Sequence, residues 1–290
     1  SFAGLAGGYE NQVALAGLAG YPLGFPGVQV PWGDVMQQES TGNSDYNGLT
    51  VSLAKRFSSH FEFLSSWTWS HAIDDSTDLQ TLLAPQDNRY PGLERGNSIF
   101  DQRHRWVFSA VFESPFDRSD DGWHRKFLAD FTVAPIIEIA AGRPFTVLTG
   151  QDLNLDFGSN TDRPSLATEG GVTSPFIPGV AFTLASVCDQ QVSLGAASIS
   201  PPFGCTGTLG RNTFRRPMFA QADLRVSRKV AFGERWKLEV IADAFNLFNR
   251  FNVADVNPLC SPLDPATCRA GEPTASLDPR QFQFALKVSW

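Results

Sequence analysis

Histidine and carboxylate side chains come together at two places in the sequence where acid–base chemistry is conceivable. His71 lies close to Asp74 and Asp75, and Asp101 precedes His104 by three positions. Groups of this kind can act as general acids and bases or can activate a nucleophile in a hydrolase. No G-x-S-x-G nucleophile turn accompanies them. Polar strand ends explain these residues better, and we expect a protein that is not an enzyme.

Alternating oxygen ligands form a second candidate site. Asp152, Asn154 and Asp156 in DLNLDFGSNTDRP are spaced as in a calcium-binding loop. Such a loop requires Gly at its sixth position and Glu at its twelfth, where this sequence has Phe157 and Arg163. We favour a surface loop rich in turn-forming residues and keep calcium as the alternative. No metal or other cofactor is expected.

Four polar residues lie where strands are predicted to end. They are Asn246 and Asn249 in NLFNRFN, and Arg103 and Arg105 in DQRHR. Hydrogen bonds between neighbouring strands are the favoured explanation for these residues, and contact with a bound ligand is the alternative.

The four cysteines form two close pairs in segments rich in Pro, Gly and Ser. Cys188 is near Cys205, and Cys260 is near Cys268. This arrangement favours disulfides in an oxidising compartment over a metal site, because neither pair has C-x2-C spacing. Four cysteines allow three pairings, of which we expect the local one.

The composition excludes several classes of protein. Charged residues make up 18% and hydrophobic residues 42% of the 290, which is too apolar for a disordered chain. The net charge of −7 disfavours nucleic acid as a partner, since phosphate contacts need a basic surface. No stretch approaches the ~20 apolar residues of a membrane-spanning helix.

Apolar and polar residues alternate along much of the chain, as in strands with one apolar face. The last ten residues are the clearest case, with Phe282, Phe284, Leu286, Val288 and Trp290 on one face. The pattern predicts seven strands, at 46–57, 61–73, 101–113, 125–140, the two arms of a hairpin over 219–249, and 281–290. Residues 145–149, which could extend the fourth strand, and residues 9–16 are weaker candidates.

The connections between these strands alternate in length. Short links at 58–60, 114–124 and 232–235 are interleaved with long links at 74–100, 141–218 and 250–280. In an up-and-down sheet all short links then lie at one end, as in barrels of the bacterial outer membrane. Aromatic residues at the short-link end fit an interfacial girdle. They are Phe57, Phe61, Phe112, Phe116, Trp123, Phe127, Phe232, Trp236 and Trp290.

The hairpin permits a prediction of register. A three-residue loop, Gly233-Glu234-Arg235, keeps the apolar faces of the two arms together and sets Val230 opposite Leu238. The same register pairs Lys229 with Glu239 and Arg225 with Asp243 on the inner face. These four charged residues are therefore expected to face a wet lumen.

Several segments resemble, in order from Tyr46 to Trp290, the C-terminal part of TonB-dependent receptor-like outer-membrane proteins. They include YNGLTVSLAKRFSSHFEFLSSWTWSHAIDD, FDQRHRWVFSAVFESPF, AAGRPFTVLTG, GRNTFRRPMFAQADLRVSRKVAF, ADAFNLFNRFNV and PRQFQFALKVSW. The nearest subgroup is the one with an N-terminal carboxypeptidase-regulatory-like domain. The last strand, with its apolar residues from Phe282 to Trp290, is similar to the signal that the barrel-assembly machinery recognises.

The resemblance implies a barrel of about 22 strands with an internal plug and a TonB-contacting segment. The chain is then an all-β, antiparallel up-and-down transmembrane barrel segment of about seven or eight long strands, with short periplasmic turns and long extracellular loops. Residues 1–45 would be a loop or linker of an upstream barrel region, and 46–290 the C-terminal segment. A small closed eight-stranded barrel stays the alternative.

The expected function is that of the C-terminal barrel portion of a transporter in the outer membrane of a Gram-negative bacterium, taking up an unidentified substrate. Its partners would be outer-membrane lipid, the barrel-assembly machinery, a small-molecule or peptide cargo and, only through missing N-terminal regions, TonB. The alternatives are a surface-structural or adhesive barrel without transport and a small outer-membrane barrel enzyme.

Overall fold

A computed structural model describes residues 41–75, 85–87, 90–116, 121–151, 153, 161–183, 193–194, 197–198, 206–232 and 235–290. The weak strand candidate at 9–16, the calcium candidates Asp152, Asn154 and Asp156, and the cysteine pair Cys188 and Cys205 lie outside these residues. So do Gly233 and Glu234 of the hairpin loop.

Seven long strands dominate the described residues, and we number them in chain order. They are β1 (Ser44–Ser58), β2 (Phe61–Asp74), β3 (His104–Glu113), β4 (Phe131–Ala140), β5 (Phe219–Phe232), β6 (Trp236–Phe245) and β7 (Gln281–Ser289). The division drawn between residues 45 and 46 therefore passes through the start of β1.

The long strands form one antiparallel sheet in which each pairs with its neighbours along the chain, in the order β1 to β7. The two-residue strand Gly96–Asn97 extends the sheet beside the end of β2. Among the described residues β1 and β7 each have a long-strand neighbour on one side only, so the sheet is open. The predicted all-β, up-and-down architecture is confirmed.

The two faces of the sheet differ in polarity across all seven strands. Residues directly opposite one another share a face, and Trp67 lies opposite both Val51 and Trp106. On the other face the Thr50 and Thr68 hydroxyls are 3.0 Å apart and hydrogen-bonded. The exposed apolar side chains of β7 continue the first face. One side of the sheet is therefore built to meet an apolar medium and the other to meet water.

The fourth predicted strand, 125–140, is wrong in its first part. Residues Trp123–Leu128 form a short helix, α1, and the strand begins at Phe131. Gly122 (φ 106°) and Asp130 (φ 65°) have left-handed backbone conformations that break the extended chain on either side. No helix among the described residues is long and apolar enough to span a membrane.

Two other strand boundaries also differ from the prediction. Strand β3 begins at His104 and not at residue 101, because the Asp101 carboxylate accepts a hydrogen bond from the Ala72 amide and holds a turn there. Of the weak candidate at 145–149, Phe145 belongs to the short strand Pro144–Phe145, which pairs with Phe214–Arg215 instead of lengthening β4. Leu148 forms a single parallel bridge with Leu259.

The connections gather at opposite ends as predicted. The short-link end holds the described residues 59–60, 114–116, 121–130 and 235. The long-loop end holds the described residues 75, 85–87, 90–103, 141–151, 153, 161–183, 206–218 and 246–280. In the first hairpin, Ser59 (φ 52°) and His60 (φ 68°) both adopt the positive φ of a two-residue type I′ turn.

The long loops carry the remaining short elements. These are the 3-10 helices Pro91–Glu94 and Pro265–Thr267 and the strands Gly96–Asn97, Pro144–Phe145, Ser165–Leu166, Val172–Thr173, Ala181–Thr183, Ser193–Leu194, Ala197–Ser198, Phe214–Arg215, Val253–Val256 and Pro273–Ser276.

The buried core of the described residues lies in the loops and not between the strands. It consists of Phe145, Val147, Phe182, Leu209, Val256, Cys260, Cys268 and Ala270. The side chains come from the loops 141–218 and 246–280, which therefore pack together. A Cβ at Gly142 would lie 1.8 Å from the Arg216 carbonyl oxygen, so these loop segments approach closely only because residue 142 is glycine.

Candidate functional site

Arginine–carboxylate pairs join the long loops to one another and to the strand ends, and we call these pairs the rim network. They are Arg163 with Glu94, Arg211 with Asp74, Arg103 and Arg215 with Asp101, and Arg95 with Asp45 and Asp75. The most buried pair is Arg163 with Glu94, whose side chains are 5% and 11% exposed. Arg163 Nη1 and Nη2 donate to the two carboxylate oxygens of Glu94 at 2.8 and 2.9 Å. Arg163 Nε also donates to the Leu209 carbonyl at 2.8 Å. One arginine thus connects three loop segments.

Arg211 ties the end of β2 to the same loop segment. Its guanidinium forms an ion pair with the Asp74 carboxylate and donates to the Asp74 carbonyl at 2.6 Å. Its Nε donates to the Glu94 carbonyl at 2.8 Å. Asp74 is therefore held by an arginine and is not poised beside a histidine.

Asp101 is the carboxylate of the rim network that pairs with two arginines, and its side chain is fully buried. It accepts hydrogen bonds from the Ala72 amide at 2.8 Å, from Arg103 Nε at 2.9 Å and from the Arg215 guanidinium. Burial alone would raise the pKa of Asp101, but these donors outweigh it and hold the pKa below its ordinary value.

Asp75 occupies the edge of the rim network near the start of β1. The Asn43 amide donates to it at 2.8 Å, and Arg95 Nη1 donates at 2.8 Å. The amide of Asn43 first, and then Arg95, lower the pKa of Asp75. Arg95 also pairs with Asp45, so the chain entering β1 is fixed to the loop that leaves β2.

The two predicted histidines do not join these carboxylates. His71 and His104 lie on the apolar face, and the His104 ring stacks on Trp67 with centroids 5.8 Å apart. Asp74 lies on the opposite face from His71, because side chains alternate along a strand. The structure therefore separates the groups that their spacing in sequence suggested as one site.

The charged residues of the hairpin stand in the predicted register. Arg225 lies opposite Asp243 and Lys229 opposite Glu239, with Phe232 opposite Trp236 beside the turn. Arg225 Nε and Nη2 donate to the two carboxylate oxygens of Asp243 at 2.7 and 2.9 Å. These residues share the polar face of the sheet, and such a face is suited to contact with water.

Asn246 and Asn249 fix the turn that follows β6. Both have positive φ, and Asn246 Nδ2 donates to the carbonyls of Arg250 and Asp278 at 2.9 and 3.2 Å. Asn249 Oδ1 accepts from the Arg280 amide at 3.0 Å. Among the described contacts both asparagines hydrogen-bond to neighbouring backbone, which is the structural role favoured from the sequence.

Arg105, predicted beside Arg103, lies on the polar face instead of in the rim network. Its Nε donates to Glu138 Oε1 at 2.8 Å across the β3–β4 pair. It therefore continues the row of charged pairs to which Arg225 and Asp243 belong.

One predicted disulfide is confirmed. Cys260 and Cys268 are bonded and close an eight-residue separation within the loop 246–280. Both sulfur atoms belong to the buried loop core, so the bond is part of that core. Among the described residues no group of three metal-ligating side chains is found.

The terminal strand carries the residues expected for the assembly signal. Phe282, Phe284, Leu286 and Val288 follow one another on the apolar face of β7, and the Trp290 ring packs against Trp236 with centroids 5.8 Å apart. Phe284 is 78% exposed. Recognition by the assembly machinery stays a prediction.

Sequence patterns did not identify the rim network. Glu94, Arg163, Arg211 and Arg215 are loop residues with no periodicity, and they meet partners far away in the chain. The one available signal was the presence of several arginines in loops that also carry many glycines and prolines.

A family model described as outer membrane beta barrel domain matches residues 9–283. No curated protein shows a significant match to the chain.

Proposed function

We propose that this chain, which belongs to the outer membrane beta barrel domain family, forms the C-terminal part of the barrel wall of a TonB-dependent transporter. The family places the chain in the bacterial outer membrane. Transport, and dependence on TonB, are the proposal. The wall would line a path for a small-molecule or peptide cargo that enters from the long-loop end.

The proposal rests on one observation, which is that the sheet is open at both edges and has one apolar and one polar face. Seven long strands leave unpaired backbone on the free sides of β1 and β7 among the described residues, and lipid does not tolerate unpaired backbone. Pairing with further strands of a larger barrel satisfies both edges. A closed small barrel, with β1 or a neighbouring strand beside β7, is the alternative.

The polar face supports a wide interior. Charged pairs such as Arg225 with Asp243 and Arg105 with Glu138 span neighbouring strands on this face. In the narrowest barrels side chains fill the interior, whereas barrels of about 22 strands hold a plug. A row of charged pairs on this face suits a barrel wall that faces water or the polar surface of a plug.

The test is whether the complete protein depends on TonB. We expect the complete protein, purified in detergent, to bind the periplasmic domain of TonB, and a matched protein without its N-terminal TonB-contacting segment to lose binding. A complete protein that contains no plug region and does not bind TonB would refute the transporter proposal and leave the family assignment intact.

A second function is favoured by the loops. The loops 141–218 and 246–280 share a buried core that contains a disulfide, so they pack together as one structured unit, which we call the loop layer. Such a layer suits adhesion or a structural role at the cell surface as well as it suits cargo capture. Cells that express the complete protein and adhere to a surface, in a strain without TonB, would support this alternative.

We also propose that the chain is not an enzyme. Asp74, Asp75 and Asp101 are each held by arginines, which supports a structural role for the carboxylates nearest the histidines. Any hydrolytic activity of the complete protein should survive both His71→Ala and His104→Ala. Loss of activity in folded variants would instead support a rim enzyme.

A further inference from the structure

The helix α1 lies against the apolar face of the sheet at the short-link end. The Phe127 and Phe131 rings pack with centroids 6.3 Å apart, and the Arg228 guanidinium lies 4.9 Å from the Phe131 ring centre. Arg228 Nη2 donates to the Lys126 carbonyl at 3.1 Å. Phe131 and Arg228 are opposite each other in the sheet, on its apolar face. The helix therefore sits on the lipid side of the wall.

The six residues of the helix include exposed aromatic and exposed basic side chains. At about 100° per residue, Trp123 and Phe127 lie about 40° apart, Arg125 projects from the opposite side, and Lys126 projects between Arg125 and Trp123. Trp123 is 80% exposed and Phe127 is also exposed, although both are large apolar side chains. Exposed aromatic residues beside basic residues are typical of helices at the membrane interface.

The basic side chains of α1 have no protein partner among the described residues. Neither Arg125 nor Lys126 takes part in an ion pair there, and both are exposed. Asp121 and Asp130 flank the helix but are not part of it. Asp117 and Asp120 of the same connection lie outside the described residues.

We propose that α1 is a binding site for an anionic phospholipid of the inner leaflet of the outer membrane. Short turns of such barrels face the periplasm, so α1 lies at the level of the phospholipid headgroups of that leaflet. Trp123 and Phe127 enter the boundary between headgroups and acyl chains, as interfacial aromatic residues do. Arg125 and Lys126 bind the phosphate, and Arg228 holds the helix in place. The site is independent of whether the barrel transports.

The experiment uses the complete protein reconstituted into bilayers in which phosphatidylglycerol or phosphatidylethanolamine carries bromine as a quencher. The fluorescence of Trp123 is isolated as the difference between the native protein and Trp123→Phe. Basic residues near an anionic surface contribute about fivefold each in lipid association. We therefore expect phosphatidylglycerol to be preferred at Trp123, and Arg125→Gln/Lys126→Gln to reduce the preference by about 25-fold or to abolish it.

Lys237→Gln is the matched control, because Lys237 is an exposed cation at the same end of the sheet but on its polar face. It should leave the preference unchanged. Folding of each variant is checked by the heat-dependent mobility of barrels in gels. Equal quenching by the two lipids in the native protein would overturn the proposal, and so would an unchanged preference in the double variant. Loss of the preference when inorganic phosphate replaces chloride at equal ionic strength would indicate a site for free phosphate instead.

Discussion

Removal of Arg163 should open the loop layer locally. In Arg163→Ala the Glu94 carboxylate loses two charge-assisted hydrogen bonds of 2.8 and 2.9 Å and keeps the one from the Gln86 amide at 3.0 Å. The side chains of this pair are 5% and 11% exposed, so water cannot replace the lost donors without a rearrangement. Breaking a buried ion pair by removing one partner costs about 3–5 kcal/mol.

The assay is hydrogen exchange in the complete, folded protein. The amide of Leu209 donates to the Pro164 carbonyl at 3.1 Å, next to the Arg163 bond with the Leu209 carbonyl. A cost of about 3 kcal/mol in local opening corresponds to roughly 150-fold faster exchange of this amide. Amides in the middle of β5 and β6 should keep their protection, because the strands do not depend on this pair.

Two further variants make the result decisive. Arg269→Ala removes an exposed arginine that pairs with Glu272 in the same loop layer, and it should leave the Leu209 amide unchanged. Glu94→Leu/Arg163→Met removes both charges and should be closer to the native protein than Arg163→Ala, because no unpaired charge stays buried. If Arg163→Ala exchanges no faster than Arg269→Ala, the proposed anchoring role of the pair is refuted.

Three other outcomes are expected. Cys260→Ser should increase proteolysis within 250–280 without affecting the strands, since the disulfide belongs to the loop core; equal cleavage of the native and variant proteins would contradict this. The lowered pKa of Asp101 means that its stabilising contribution is complete above the ordinary Asp pKa of about 3.9 and is lost as the pH falls through the lower folded pKa. Loop protection measured by hydrogen exchange should therefore fall in acid, and Asp101→Asn should remove that part of the pH dependence. Deletion of Trp290 should slow the appearance of the heat-modifiable folded form in cells, while its replacement by Phe should not; an unchanged rate after deletion would contradict an assembly role.

The alternation of apolar and polar residues was sufficient to predict the strands of the sheet. Alternation with a period of two depends only on which residues are neighbours in sequence, so the strands and their faces could be predicted. The register of β5 and β6 followed because a short turn leaves few alignments that keep Val230 and Leu238 on one face. The Cys260–Cys268 bond followed from proximity in the chain for a similar reason.

The alternation of apolar and polar residues gave a wrong prediction for the segment before Phe131, where the same residues can form either a strand or a helix. The segment before Phe131 alternates well enough for a strand, but the same residues also place Trp123 and Phe127 on one side of a helix. Contacts with Phe131 and Arg228, on β4 and β5, favour the helix. No pattern within the segment itself contains this information.

The strands, their apolar and polar faces and the positions of the short and long connections are predictable from the sequence alone, because each depends on residues close together in the chain. The partners of the loop arginines, the loop core and the position of α1 depend on contacts between distant parts of the folded chain. Arg211 meets Asp74 across 137 residues, and many carboxylates lie at comparable distances along the chain. The choice among them is made by the path of the folded loops, which brings one carboxylate within reach of the guanidinium and leaves the others apart.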